Sequence, residues 1–157
     1  MKSIIISTLV GFFILTLSFQ ASGEEWTTEQ KEVWEAIKEY HKYIENGDVD
    51  SAMALIHENA LDLNYDNPLP LKKNQILSWN LFWSRMKPTI EIKPISIAII
   101  NDKLATAFYH FKWKSRDEIY SNKGRFGQTF IKQNGKWISI GSNSCSCSNP
   151  MPCPYGW

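Results

Sequence analysis

The stretch Tyr40-His41-Lys42-Tyr43-Ile44-Glu45-Asn46-Gly47-Asp48-Val49-Asp50-Ser51-Ala52-Met53-Ala54-Leu55 decides how this chain is read, because it closes one helix and opens another. Upstream of it, Val33, Trp34, Ile37, Tyr40, His41 and Ile44 recur at three- and four-residue steps, which places them on one face of a helix over 27–45. Thr27 or Thr28 can cap its start, and Asn46-Gly47 stops it. Asp48 then caps a shorter helix over 50–57 that buries Ala52, Leu55 and Ile56.

Beyond this stretch a short strand is expected over 60–65. Asn67-Pro68-Leu69-Pro70 is a loop, since its prolines lack backbone donors and force extended geometry. Ile76, Leu77, Asn80, Trp83 and Met86 return to helical spacing over 73–86, ended before Pro88. The period then changes to two. Residues 89–100 form an Ile-rich strand in which Pro94 marks a bulge or an edge, and Asn101-Asp102 turns the chain. Over 104–114, Ala105, Ala107, Tyr109, Phe111 and Trp113 point one way, and Thr106, His110, Lys112 and Lys114 the other. Residues 125–132 and 136–144 make a hairpin around Gln133-Asn134-Gly135, where Asn-Gly supplies the positive φ of a tight turn. Helices first and a sheet afterwards predict an α+β fold.

The ends and the charge bound the class. Met1-Lys2, an apolar run over 4–19 and Ala21-Ser22-Gly23 ahead of Glu24-Glu25 follow the signal-peptide order of positive start, apolar middle and small-residue exit. The competing reading is a membrane anchor; a lipid anchor is disfavoured because no Cys lies near the cleavage point. Cleavage leaves 134 of the 157 residues, one ordinary domain over 24–144 with a Cys/Pro-rich tail over 145–157. The expected location is secreted or periplasmic, with no stable membrane span after processing. Without Lys2, the 16 basic and 16 acidic side chains cancel, which argues against a nucleic-acid partner. They are unevenly spread: residues 24–66 hold 12 acids and 3 bases, residues 67–157 hold 4 and 13. This dipole can steer an anionic ligand, favour contact between copies, or join two faces of one domain.

The order of elements resembles the cone-shaped fold of the nuclear transport factor two-like superfamily, which includes ketosteroid isomerases and SnoaL-like cyclases. The resemblance covers nearly all of the chain after residue 23. It is carried by Tyr40 to Asp50, by Ala52 to Leu55, by His57-Glu58-Asn59-Ala60, and by Gly124-Arg125-Phe126-Gly127-Gln128-Thr129-Phe130-Ile131-Lys132 with Asn134-Gly135-Lys136-Trp137. It implies a cone-like roll: three N-terminal helices packed in a curved antiparallel sheet around a mostly apolar hollow, open at one end.

The resemblance also implies sites. Tyr40 takes the position of a tyrosine that donates to a developing enolate oxygen. The proton-carrying acid falls on Asn64 without a gap or on Asp66 with a two-residue insertion; a further acidic donor falls near Gln128, and a His on the last strand is replaced by Asn143. Tyr40 and Asp66 are thus the candidate catalytic pair, with Asp62, Asn64, Trp79, Trp83, Tyr109, Gln128 and Asn143 lining the hollow. Because Asn64 cannot act as a base and Gln128 cannot give a proton, binding of a small apolar or aromatic molecule ranks first. An isomerase, cyclase or dehydratase follows, and a homodimeric module without a ligand is the third reading. Homodimer formation is the expected assembly.

His41, His57 and His110 lie on separate elements, which supports no metal site, and no cofactor motif is present. Cys145, Cys147 and Cys153 crowd the tail. In an oxidising compartment one disulfide is expected, from Cys145 or Cys147 to Cys153, since bridging a single residue is strained. The alternative is a soft-metal site formed by the same thiols with Met151.

Overall fold

A computed structural model describes residues 25–64 and 67–146. The chain runs α1 (Thr28–Asn46), α2 (Val49–Ala54), β1 (Ile56–Leu63), β2 (Leu71–Lys72), α3 (Lys73–Arg85), β3 (Thr89–Asn101), β4 (Leu104–Lys114), β5 (Ser121–Gln133) and β6 (Lys136–Ser146). The strands form a single six-stranded sheet in the order β2-β1-β6-β5-β4-β3.

α1 starts in a reciprocal cap. The Thr27 side chain accepts from the Gln30 backbone N–H at 3.2 Å, and the Gln30 side chain accepts from the Thr27 N–H at 2.8 Å. It ends at Gly47, whose φ of 78° is the left-handed geometry that a side chain would resist. Its buried residues Val33, Ile37, His41 and Ile44 keep the spacing read from the sequence. Val33 and Ile37 pack with Tyr109, Ala105, Ala107, Phe130 and Trp137 of the sheet, each aliphatic side chain contributing about 1.5–3 kcal/mol of transfer free energy.

β4 alternates as its sequence predicts, with Ala105, Ala107, Tyr109 and Phe111 all buried. Pro94 lies at a register shift in β3, which is also an edge strand, so a missing donor costs no ladder bond. Asn134 and Gly135, with φ of 52° and 78°, form the two-residue turn between Gln133 and Lys136.

Four expectations are corrected. The sheet is mixed rather than wholly antiparallel, because β1 runs parallel to β6; the chain between them supplies the long crossover that parallel neighbours require. α2 stops at Ala54, and Ile56 and His57 belong to β1, which begins four residues earlier than expected. Leu55 and Ile56 would suit either element, and pairing decides: the Ser139 N–H donates to the Leu55 carbonyl at 2.9 Å. A two-residue β2 pairs with β1 where only a loop end was expected. β6 continues through Cys145 and Ser146, paired with Arg125 and Gly124, so Cys145 is a strand residue rather than part of a tail.

Candidate functional site

The inward faces of β1, β4, β5 and β6 and the facing sides of α1 and α3 enclose a cavity. It offers about 130 Å³ to the centres of water-sized molecules. Buried Tyr109, Gln128 and Ser139 form its deep end, whereas Asn64, Trp83, Trp113 and Ser144 are half-buried. The cavity therefore opens where β1, β4 and β6 finish and β3 begins. The opposite end is closed by α1, whose Gln30 side chain donates to the Ile97 carbonyl at 2.7 Å and whose Glu32 accepts from Lys132 and the Trp137 ring N–H.

Three polar groups stand in this apolar room. The Tyr40 hydroxyl donates to Asn80 Oδ1 at 3.0 Å, and the Asn80 amide is held in turn against Met53 Sδ at 3.3 Å. With its proton so engaged, Tyr40 presents oxygen lone pairs to the cavity. Burial pushes its ionisation up to about 12, eased by the Asn80 hydrogen bond and reinforced by the charge of Asp62. Asp62, on the inward side of β1, accepts from Ser142 Oγ at 2.6 Å. Burial raises its carboxyl above the ordinary range, against the lowering effect of that hydrogen bond.

The third group is a relay. The Tyr109 hydroxyl donates to Gln128 Oε1 at 2.9 Å and lies 3.1 Å from His41 Nε2. Tyr109 has a single proton to give, so His41 Nε2 must carry the proton of that second bond, which fixes the tautomer from the network. Burial pushes His41 down to about 4, leaving the ring neutral near pH 7. Ser144 Oγ, also on the lining, is buried without a hydrogen-bond partner among the described residues.

Aromatic rings make the walls near the mouth. Trp79 and Trp83 stack with centroids 5.7 Å apart and planes 13° apart, and Trp113 meets Trp83 edge-on at 4.3 Å. Phe126 lies over Tyr109 at 5.5 Å and against Phe111 at 4.8 Å.

Solved structures share this fold. A protein of unknown function from Pseudomonas putida, described as NTF2-like, superposes with a TM-score of 0.68 at 15% identity, over 84% of this chain and 95% of that one. A ketosteroid isomerase-like protein from Erwinia carotovora gives 0.63 at 10% identity, over 78% and 99%. An NTF2-like protein with a cystatin-like fold from Novosphingobium aromaticivorans gives 0.66 at 14% identity, over 77% and 84%. The chain has the NTF2-like fold. No family model and no curated protein matches the sequence. Identities this low speak of architecture, and one architecture serves many chemistries.

Within this NTF2-like cone, the structure brings together Tyr40, Asp62, Asn64, Trp79, Trp83, Tyr109 and Gln128. Asn143 is a correction: it is exposed on the outer face opposite Gly127, while its neighbours Ser142 and Ser144 point inward. Strand alternation places every second residue outside, so a placement one residue off lands on the wrong face. Asp66, Cys147, Met151 and Cys153 lie outside the described residues. Cys145 is exposed at the end of β6. Among the described residues no group of three or more potential ligands could hold a metal ion. Sequence reasoning missed His41, Asn80, Trp113, Ser142 and Ser144 as lining residues. The helical spacing of His41 and Asn80 and the inward parity of Trp113 were the available signals.

Proposed function

We propose that the protein binds a small, mainly apolar, ring-bearing molecule inside the cone, with one oxygen of that molecule reaching the polar groups. The supporting observation is the lining: stacked and edge-on rings surround Tyr40, Asp62 and Gln128, which converge on one space. Ligand sites have this composition, apolar walls with a few placed polar groups. One water needs about 10–15 Å³ by the same measure, so the hollow has room for a one- or two-ring molecule. Thermal unfolding and Trp fluorescence in the presence of indole, 2-naphthol and related ring compounds test this. At about a hundred times its Kd a true ligand raises Tm by roughly 5–10 °C, and Ala60→Leu, which fills the lining, abolishes the rise. If no ring compound shifts Tm or alters Trp emission, the cavity is not a binding site for this class.

A second reading, acid-base catalysis, is favoured by one observation: the buried carboxyl with the raised pKa is Asp62, beside Tyr40 and Tyr109. Asp62 would carry a proton between carbons of a ring ketone while Tyr40 turns its hydroxyl from Asn80 to the ketone oxygen. Uptake of solvent deuterium by 2-tetralone measures this step. Asp62→Asn should slow it by roughly 10²–10⁴-fold; an unchanged rate, or none above buffer, removes the enzyme reading and leaves the binding one intact.

Two further expectations remain proposals. Pairing of copies is assigned to the outer sheet face, where Phe108 is 49% exposed and lies over Gly127 beside exposed Leu61 and Leu63. Export is tested by the first residue of protein recovered outside the cytoplasm: Glu24 supports it and Met1 overturns it.

A further inference from the structure

Three segments surround the open end of the cone: the end of α3 with the turn into β3, the loop between β4 and β5, and the start of β5. The first two are tied together, since the Arg116 N–H donates to the Met86 carbonyl at 3.1 Å. These segments expose apolar side chains, of which Phe82 also packs against Trp79 and Trp83. Ile119 is 72% exposed, Tyr120 55%, Phe82 47% and Leu81 41%. They also carry Arg85, Lys87, Lys114, Arg116 and Lys123, four of which are exposed.

Asp117 and Glu118 oppose these five cations within the same segments, and Glu45, bonded to the Ile90 N–H, and Glu91, paired with Lys112, lie at the start of β3. Asp117 accepts from the Ser115 hydroxyl at 2.5 Å and from the Ile119 N–H at 3.2 Å, and Glu118 lies 4.0 Å from Lys114. The closed end is more nearly balanced: Glu32 is paired with Lys132 and Glu35 with Lys38, and Lys103 and Lys136 stand in its turns. The mouth thus carries a net excess of positive charge, and the sequence halves do not map onto the two ends of the cone. Apolar and aromatic side chains flanked by cations fit an interface that is greasy below and negative above.

We infer that the mouth of the cone docks on an anionic lipid bilayer, with Ile119, Tyr120 and Phe82 entering the headgroup layer and the five cations meeting lipid phosphates. Docking is peripheral, as no helix among the described residues is long and apolar enough to cross a membrane. It would bring the cavity entrance against the bilayer. The surface stands apart from the cavity's contents, so binding of lipid vesicles and binding of ring compounds succeed or fail separately.

The test is co-sedimentation of the chain starting at Glu24, which keeps every helix and strand of the described residues and removes the apolar run over 4–19. The probes are vesicles of phosphatidylcholine alone and of phosphatidylcholine with phosphatidylglycerol at about 3:1. Binding is expected to the mixed vesicles and to weaken as salt rises. Each rim cation is worth about fivefold, so Lys87→Ala with Arg116→Ala should weaken it on the order of twentyfold. Ile119→Ser with Tyr120→Ser should weaken it while Tm stays constant. Lys103→Ala with Lys136→Ala, in the turns of the closed end, should change it less than twofold by the same reasoning. Absence of binding to mixed vesicles, or equal losses from the closed-end and rim pairs, overturns the inference.

Discussion

His41 shows how one buried side chain sets a pH response. Its ring is neutral in the folded protein because burial lowers its pKa to about 4 from an ordinary 6.5. Between those values the unfolded chain binds a proton that the folded chain refuses, so stability falls as pH drops through 6.5 and the loss is complete below about 4. The size is about 3 kcal/mol. Asp62 acts the other way: its raised carboxyl takes up a proton earlier in the folded state, which favours folding as pH falls. Urea unfolding of the native chain and of His41→Phe at pH 7.5 and pH 4.5 separates the two. The native chain should lose roughly 2–3 kcal/mol more than the variant on acidification. Equal losses would show that His41 is protonated or solvated in the fold.

At the scale of elements, legibility followed locality. α1, β4 and the Asn134-Gly135 hairpin announce themselves because period and turn chemistry are properties of neighbouring residues. The inward placement of Asp62 was expected from the family resemblance and not from local pattern, since it depends on β1 beginning at Ile56 and on its pairing with β6 about 80 residues away. The same dependence moved Asn143 to the outer face. Two glycines in the β5 motif give this contrast a measurable form. A Cβ on Gly124 would stand 2.0 Å from the Cys145 carbonyl oxygen and 2.7 Å from the Phe111 ring, and a backbone oxygen inside a ladder cannot retreat. One on Gly127 would meet Asn143 Oδ1 at 2.6 Å and the Phe108 ring at 2.9 Å, both on exposed side chains that can turn away. Gly124→Ala should therefore cost about 3–5 kcal/mol and Gly127→Ala about 1 kcal/mol, read from denaturant midpoints at constant slope. A reversed order would mean that β5 and β6 do not approach as described.

For the whole molecule, the charged rim and the apolar outer face make opposite demands on self-association. Copies joined head to tail through the positive mouth and the acidic start of α1 would be held by screened charges, and they would separate as salt rises from about 0.05 to 0.5 M. Copies joined through Phe108, Leu61 and Leu63 bury apolar area, which salt leaves intact or strengthens. The outer face repeats identically on each copy, so a two-fold pair closes on itself, whereas head-to-tail contact propagates into chains. Sedimentation velocity should thus give a discrete dimer that persists at high salt, and Phe108→Lys should convert it to monomer with the cavity and its ring-compound binding unchanged. A species that grows with concentration and dissolves in salt would transfer the contact from the sheet to the charged rim. It would also place the lipid-facing rim in competition with other copies of the chain.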